Sequence, residues 1–211
     1  MHPLLVHLVA KWLPSGLLAK DVRGLLTLHG KPHTADHSAA VASEAERLAR
    51  RFGANVSAAV DAAWLHDVSA VFPSNQRAQA ADALGIEVLP EERAFPTIVH
   101  QKLSVVLARE LFGVTNDAVL SAVGCHTTLK AGATALDQVV FLADKIAWDQ
   151  PGTPPYLADL LAALEDSLSA AALVYLNHLW EQRHALRVLH PWVSAARDEL
   201  LLAHQGAATC P

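Results

Sequence analysis

Ala62-Ala63-Trp64-Leu65-His66-Asp67 places a histidine and an aspartate directly behind four apolar residues. The apolar pattern around this stretch predicts a helix over Ser57 to Asp67. Adjacent side chains on one helical turn do not share a face, but they converge on one ion if the helix end points into a site. An imidazole and a carboxylate together suit Fe, Mn or Zn better than Ca. A single His-Asp pair is a weak signal, so its interpretation depends on the rest of the chain.

Further potential metal ligands occur near the ends of other predicted helices. His37 lies upstream with apolar residues to its C-terminal side, His100 opens a later helix, and His126 closes the next one. Asp144 lies inside an otherwise apolar segment, where a buried carboxylate needs a partner. That partner is a metal ion in one interpretation and the adjacent Lys145 in the other. The pattern favours a site shared by five helices.

The rest of the chain has a helical pattern, rich in Ala and Leu and poor in runs of β-branched residues, which predicts an all-α fold. The Pro- and Gly-containing segment 150–155 separates a core of about residues 30–150 from a helical extension of about residues 156–205. We expect a loop here, within a single domain. The predicted helices are Ala39–Arg51, Ser57–Asp67, Ser74 or Asn75 to Gly85, Ile98–Phe112, Asn116–Cys125, about 134–148 with Thr134 as N-cap, Tyr156–Leu168, Ser169–Leu189, and a last one after Pro191.

Composition narrows the class of protein. Over 211 residues the apolar fraction is 52%, enough for one sizeable core, and the net charge of −5 gives no bulk attraction to nucleic acid. Cys125 and Cys210 lie far apart and do not resemble a disulfide framework. The apolar N-terminus is short and lacks a basic region, so no signal peptide is predicted, and no apolar run is long enough to span a membrane. These features predict a cytoplasmic protein without nucleic-acid or membrane partners.

The order His, His-Asp, His, His, Asp resembles the HD-domain superfamily of metal phosphohydrolases. It is most similar to the YqeK family of symmetrical bis(5'-nucleosyl)-tetraphosphatases, which cleave diadenosine tetraphosphate to two ADP. The resemblance covers roughly His33 to Trp148. Its motifs are His37-Ser38-x-x-Val41-Ala42, Ala63-Trp64-Leu65-His66-Asp67-Val68, Ile98-Val99-His100, Ala122-Val123-Gly124-Cys125-His126-Thr127-Thr128 and Phe141-Leu142-Ala143-Asp144-Lys145-Ile146.

The resemblance implies an HD-domain helical bundle with additional C-terminal helices, and two metal ions, with iron expected and Mn or Zn as alternatives. One metal would be held by His37, His66, Asp67 and Asp144, and the second by His100 and His126, with Asp67 bridging both. Two such metals activate water and stabilise charge on a phosphoryl group. The implied catalytic residues are Asp67, His66 and Lys145, and the candidate residues for holding a nucleotide substrate are Lys102, Thr127, Thr128, Lys130 and Lys145.

Three segments depart from the family pattern on the substrate side. Val68-Ser69-Ala70 lacks a usual lysine, Gln101 replaces a usual glycine, and Ala147-Trp148-Asp149-Gln150 lacks the usual acidic residue, proline and arginine. Two alternatives therefore stay open: a nucleotidase or phosphodiesterase acting on another nucleotide, and a nucleotide-binding regulatory protein without turnover. Trp148, Trp180 and Trp192 offer an adenine-stacking surface or ordinary packing. The C-terminal helices offer either a homodimer face or a cap over the core.

Overall fold

The computed structural model describes residues 1–208, and Cys210 lies outside the described residues. Within that range the chain forms twelve α-helices and no β-strand, so the prediction of an all-α fold is confirmed. Three 3₁₀ turns, Val68–Val71, Ser74–Gln76 and Pro96–Val99, connect some of the helices. The helices are α1 (Pro3–Val9), α2 (Leu18–Leu28), α3 (Pro32–Phe52), α4 (Val56–Leu65), α5 (Arg77–Ala83), α6 (Pro90–Ala94), α7 (His100–Phe112), α8 (Asp117–Cys125), α9 (Ala135–Ile146), α10 (Leu157–Ala163), α11 (Leu168–Glu181) and α12 (Pro191–Ala208).

The largest differences from the predicted boundaries lie at the start of α3 and at the ends of two C-terminal helices. The predictions Tyr156–Leu168 and Ser169–Leu189 were too long, because α10 ends at Ala163 and α11 ends at Glu181. Helix α3 begins seven residues before the predicted Ala39, because Pro32 occupies its first turn, where proline lacks only an N–H that has no partner there anyway. Its end at Gly53 agrees with the prediction, since that glycine has φ +70° and closes the helix in the left-handed region. The short helix α6 lies in a segment predicted to be irregular, and α1 and α2 were not predicted from the sequence.

Helices α4 and α9 form the centre of the bundle. Helix α4 packs against α3, α8 and α9, and its alanines at positions 58, 59, 62 and 63 are buried. Their small side chains allow the neighbouring helix backbones to approach closely. Helix α9 is apolar around most of its circumference, with residues 139–143 completely buried, as expected for a helix surrounded by others.

Side-chain caps fix where the helices around the site begin. The Asn55 carboxamide accepts a hydrogen bond from the Ala58 amide at 2.9 Å at the start of α4, and Asn116 caps α8 in the same way. Thr134 and Asp137 form the predicted cap of α9, with the Asp137 carboxylate accepting from the Thr134 amide at 2.8 Å. These starting points determine which residues occupy the opposite ends of α4, α8 and α9.

The C-terminal helices pack onto the core. Helix α11 contacts α9 and α10, and α12 contacts α11. The Tyr175 ring of α11 lies edge-on to Phe141 of α9, with 5.5 Å between ring centroids. Among the described helices, none combines the length and apolar character needed to cross a bilayer.

Because the centre of α9 is completely buried, we expect a leucine-to-alanine substitution there to destabilise the protein far more than the same substitution at an exposed position. Leu142 is 0% exposed, and Leu202 on α12 is 70% exposed. We expect Leu142→Ala to lower the free energy of unfolding by about 2–5 kcal/mol through lost burial and an unfilled cavity. We expect Leu202→Ala to change it by no more than about 0.5 kcal/mol. Urea unfolding monitored by circular dichroism measures both, and equal losses would contradict this description of the core.

Candidate metal centre

Four helix ends and one helix interior bring the six predicted ligands together. His66 is the C-cap of α4, Asp67 follows it, and His126 is the C-cap of α8. His100 is the first residue of α7, and Asp144 lies in the last turns of α9. His37 comes from within α3, whose early start at Pro32 makes this position helical.

The predicted helix over Ser57 to Asp67 is two residues too long, and the difference shapes the site. Helix α4 ends at Leu65, and the Asp67 backbone has φ −110° and ψ 16°, outside the helical conformation. The His66 and Asp67 side chains can therefore face the same point, with His66 Nε2 3.6 Å from Asp67 Oδ2. This is the convergence at a helix end that the sequence predicted.

Asp67 lies between two groups of side chains. On one side are His37 and His66, and on the other are His100 and His126, and each group can offer ligand atoms within 4.8 Å of one another together with Asp67. Asp67 Oδ1 is 3.2 Å from His100 Nε2 and 3.8 Å from His126 Nε2. Asp144 Oδ1 adjoins the first group, 3.0 Å from His37 Nε2 and 3.7 Å from His66 Nε2. Both arrangements suit metal ions that prefer nitrogen and oxygen ligands.

Backbone carbonyls orient three of the four imidazoles. The Nδ1 atoms of His66, His100 and His126 lie 2.6, 2.6 and 2.8 Å from the carbonyl oxygens of the residues three positions earlier. A carbonyl oxygen only accepts, so each Nδ1 must carry the proton and each Nε2 presents a lone pair when the ring is neutral. All three lone pairs point towards Asp67, which is the tautomer and orientation that a metal-binding histidine requires.

Two observations show that these nitrogens fit a cation. His100 Nε2 and His126 Nε2 are only 2.9 Å apart although both carry lone pairs, an arrangement that a shared positive ion relieves. His66 Nε2 is buried and has no hydrogen-bond partner among the described residues, although a buried polar atom normally has one. Metal ions in the two ligand groups on either side of Asp67 would satisfy all three atoms.

The environment keeps the groups around Asp67 in the protonation states that bind metals. Burial raises the pKa of Asp67, but the neighbouring His66, His100 and His126 outweigh that effect and hold it at about 2. Burial lowers the pKa of His100, and it lowers the pKa of His126 well below the usual range. At neutral pH the carboxylate is therefore charged and these two imidazoles are neutral, as ligands must be.

Asp144 has a cation beside it as well as the histidines. Burial raises the pKa of Asp144, but Lys145, whose Nζ lies 2.6 Å from Asp144 Oδ2, and the hydrogen bond with His37 hold it well below the usual range. The Lys145 ammonium also donates to the His126 carbonyl at 3.1 Å. Both interpretations of Asp144 from the sequence are therefore compatible with the structure: its two oxygens face the lysine and the histidines separately.

The structure brings only some of the predicted substrate-binding residues to this cluster. Lys145 lines the cavity beside Asp67 and Asp144. The Thr127 hydroxyl lies 3.0 Å from His100 Nε2 and 3.1 Å from His126 Nε2. The Thr128 hydroxyl instead donates to the Leu129 carbonyl at 2.9 Å and accepts from the Gln101 carboxamide.

Lys102 and Lys130 have structural partners instead of places beside the histidines. The Lys102 ammonium lies 2.7 Å from the carboxylate of Glu92, which is completely buried, and it also donates to the Glu87 carbonyl. The Lys130 ammonium donates to the Ser121 hydroxyl at 2.8 Å. Neither lysine lines the cavity beside Asp67. Sequence position alone could not distinguish them from Lys145, because their partners lie 9 or more residues away.

The contacts that three other residues make in the site were not predicted from the sequence. The Gln101 side chain accepts from the Thr127 amide at 3.2 Å and so holds the turn after His126. The Arg77 guanidinium donates to the Thr97 carbonyl at 3.2 Å, the same oxygen that accepts from His100 Nδ1. Asp149 lies in the cavity wall, 3.8 Å from His37 Nδ1. Gln101 could be noted only as a departure from the family pattern.

An all-α bundle that gathers four histidines and two aspartates into one candidate metal centre has the architecture of a helical hydrolase. The model of the family described as "HD domain" matches residues 34–149, more than half of the chain. The chain therefore belongs to the HD-domain family and is an HD-domain hydrolase. The matched range contains all six ligand candidates.

Relatives and a solved structure agree with this family. The chain is 48% identical over 144 residues to an "Uncharacterized protein in pepC 5'region" of Lactococcus lactis subsp. cremoris, covering 68% of this chain and 73% of the relative. It is 30% identical over 116 residues to a "Bis(5'-nucleosyl)-tetraphosphatase, symmetrical" of Bacillus subtilis, covering 54% and 61%. The crystal structure of a predicted HD superfamily hydrolase from Clostridium acetobutylicum matches with a TM-score of 0.79 at 22% identity, covering 87% of this chain and 97% of that one. This last likeness concerns the fold.

The shared position of Asp67 predicts that one substitution affects both ligand groups. A metal at 100 times its dissociation constant stabilises a protein by about 2.7 kcal/mol. We expect Asp67→Asn to remove most of the Mn²⁺-induced rise in melting temperature and to lower the metal content measured by mass spectrometry after dialysis. Asp61→Asn, on α4 but outside both groups, is the matched control. Unchanged metal content in Asp67→Asn would contradict the shared site.

Because Lys102 is paired with the buried carboxylate of Glu92, we expect Lys102 to stabilise the folded protein. Lys102→Met removes the ammonium from the buried Glu92 carboxylate and leaves it the Leu89 amide and His190 as partners, and we expect a loss of about 1.5–3 kcal/mol in the free energy of unfolding. Metal binding should stay as in the wild type, because Lys102 lies outside both ligand groups. Lys20→Met, at an exposed position, serves as control. A stable Lys102→Met variant with impaired metal binding would instead return Lys102 to the site.

Proposed function

We propose that this HD-domain hydrolase is a metal-dependent phosphohydrolase of dinucleoside polyphosphates, which cleaves diadenosine tetraphosphate symmetrically to two ADP. The observation that carries the proposal is the position of Asp67 between two ligand groups. The printed activity of the Bacillus subtilis relative supports the choice of substrate.

In this proposal, His37, His66 and Asp144 would hold one transition-metal ion together with Asp67, and His100 and His126 would hold a second with the same aspartate. Iron is the expected metal, and manganese or zinc suits the same ligands. When bound, two such ions lower the pKa of a coordinated water and offset negative charge on phosphoryl oxygens. The carbonyl contacts of His66, His100 and His126 keep their rings in place during turnover.

Lys145 and Thr127 are positioned to hold the phosphate. The Lys145 ammonium has three protons, two of which point to Asp144 and the His126 carbonyl, so the third is available to an oxygen in the cavity. The Thr127 hydroxyl lies between His100 and His126, where it can donate to an oxygen beside these nitrogens. Both residues act by binding and orienting the phosphoryl group.

A second candidate substrate is a nucleotide with fewer phosphates. Lys145 is the one Lys or Arg side chain among the described residues that line the cavity beside Asp67, and Asp149 adds a negative charge to the same wall. A chain of four phosphates needs cations beyond the metal ions, and Lys102 and Lys130 are engaged elsewhere. This charge balance favours a mono- or dinucleotide with one or two phosphates.

Product analysis separates these functions. We expect the Mn²⁺- or Fe²⁺-loaded protein to convert diadenosine tetraphosphate to ADP alone, and Asp67→Ala to reduce kcat/KM at least about 100-fold because both ligand groups lose a member. AMP and ATP as products would contradict symmetrical cleavage. A panel including AMP, ADP and NAD then ranks shorter nucleotides, and a higher kcat/KM for one of them would select the second candidate. Tight nucleotide binding without turnover under all metals would indicate a regulatory protein instead.

A further inference from the structure

Two cavities lie against the metal centre and share one wall. The polar cavity, of about 300 Å³, contains Asp67, Asp144 and Lys145, and the apolar pocket, of about 180 Å³, lies between the core and the C-terminal extension. Tyr175 of α11 lines both of them. A ligand with two chemically different ends could therefore occupy the two spaces at once.

The apolar pocket begins beside the second ligand group. Thr127, whose hydroxyl lies 3.0 Å from His100 Nε2, also lines the apolar pocket. Phe95 and Ile98 supply its wall from the core side, next to the turn that carries His100. The phosphate end of a ligand held at Asp67 would therefore lie one side chain away from this pocket.

The opposite wall comes from the C-terminal extension. Leu179 of α11 and the segment 186–190, which links α11 to α12, line the pocket with mainly apolar side chains. The buried polar groups in the lining already have partners. The Thr128 hydroxyl donates to the Leu129 carbonyl, and His190 lies 3.4 Å from the Glu92 carboxylate. The pocket therefore favours a flat or apolar group over a phosphate.

Arg187 supplies a stacking group at this pocket. Its side chain is exposed, and its guanidinium carbon lies 5.5 Å from the centroid of the Phe95 ring. No carboxylate among the described residues lies within 4.0 Å of it, whereas most other arginines of the chain pair with Asp or Glu. A guanidinium plane and an aromatic ring beside an apolar pocket are groups on which nucleobases stack.

We propose that the apolar pocket binds the nucleobase of the substrate while its phosphates lie at Asp67. The inference rests on the proposed function and adds to it that the C-terminal extension selects the substrate. A nucleotide has one highly charged end and one flat end with little charge, which matches the segregation of polar and apolar walls around Tyr175. Arg187 and Leu186 are then specificity-determining residues, with no part in the bond cleavage.

Nucleoside binding tests the pocket separately from catalysis, because a nucleoside carries no phosphate. Isothermal titration of the four ribonucleosides should detect binding of at least one to the wild type, and this binding should persist in Asp67→Ala. Leu186→Trp, which fills the pocket, should weaken it at least about tenfold. Leu201→Trp, at a half-buried leucine outside the pocket, is the matched control and should bind as the wild type does.

A milder pair of variants covers the possibility that Leu186→Trp does not fold. Arg187→Ala should weaken nucleoside binding about threefold to fivefold, because an exposed cation contributes about that much by stacking. It should also raise KM for nucleotide substrates without lowering kcat. Arg183→Ala is its control, because the Arg183 guanidinium stacks on Trp180 outside the pocket. Hydrolysis of inorganic tetraphosphate, which has no base, should be the same in both.

The outcomes distinguish the two proposals. The nucleobase pocket is refuted if no ribonucleoside binds the wild type. It is also refuted if Leu186→Trp and Arg187→Ala both fold and both bind nucleosides as the wild type does. Either result counts against the pocket even where turnover is high. If nucleoside binding depends on Leu186 and Arg187 but no nucleotide is hydrolysed with any metal, the proposed function fails and the pocket stands.

Discussion

The whole site depends on the hydrogen bonds that join three imidazole Nδ1 atoms to backbone carbonyls. A helix leaves its last carbonyls without intrahelical donors, and a histidine at the C-cap can supply one. His66 and His126 do so at the ends of α4 and α8, each bonding the carbonyl three residues earlier. His100 repeats the pattern after the 3₁₀ turn Pro96–Val99. One interaction thus satisfies the helix end, fixes the tautomer and directs Nε2 towards Asp67.

Packing explains why these helix ends meet. The alanines of α4 allow α3, α8 and α9 to approach it, and the asparagine caps at positions 55 and 116 set the opposite ends of α4 and α8. Two imidazoles of the cluster are nearly closed to solvent, with His66 0% and His126 1% exposed, while the Asp67 carboxylate faces the cavity. Burial lowers the pKa of His126, and the neighbouring histidines lower the pKa of Asp67 against the effect of its burial. The core therefore stabilises the fold and also sets the charge states of the centre.

The sequence predicted those features that follow from local pattern. The all-α fold, the Thr134 cap, the end of α3 at Gly53 and the convergence of His66 with Asp67 each depend on residues close together in the chain. Long-range partners could not be predicted in this way. Lys145 has Asp144 beside it in the sequence, whereas Lys102 meets its partner Glu92 only in the fold. The same limit applies to Arg77 and Tyr175, whose roles arise from contacts between distant helices.

The negative charge of the polar cavity explains why a second contact surface, from the C-terminal extension, would help to bind an anionic substrate. Three carboxylates, from Asp67, Asp144 and Asp149, line the polar cavity with one lysine, so an anionic substrate is repelled there unless cations occupy the ligand groups. Recognition of such a substrate cannot depend on this cavity alone. A mainly apolar contact surface beside it, with Arg187 as its one cation among the described lining residues, adds affinity, and the segment 186–190 contributes to such a surface. Because that surface comes from outside the segment matched by the family, relatives that share the metal ligands can differ in the substrate they select.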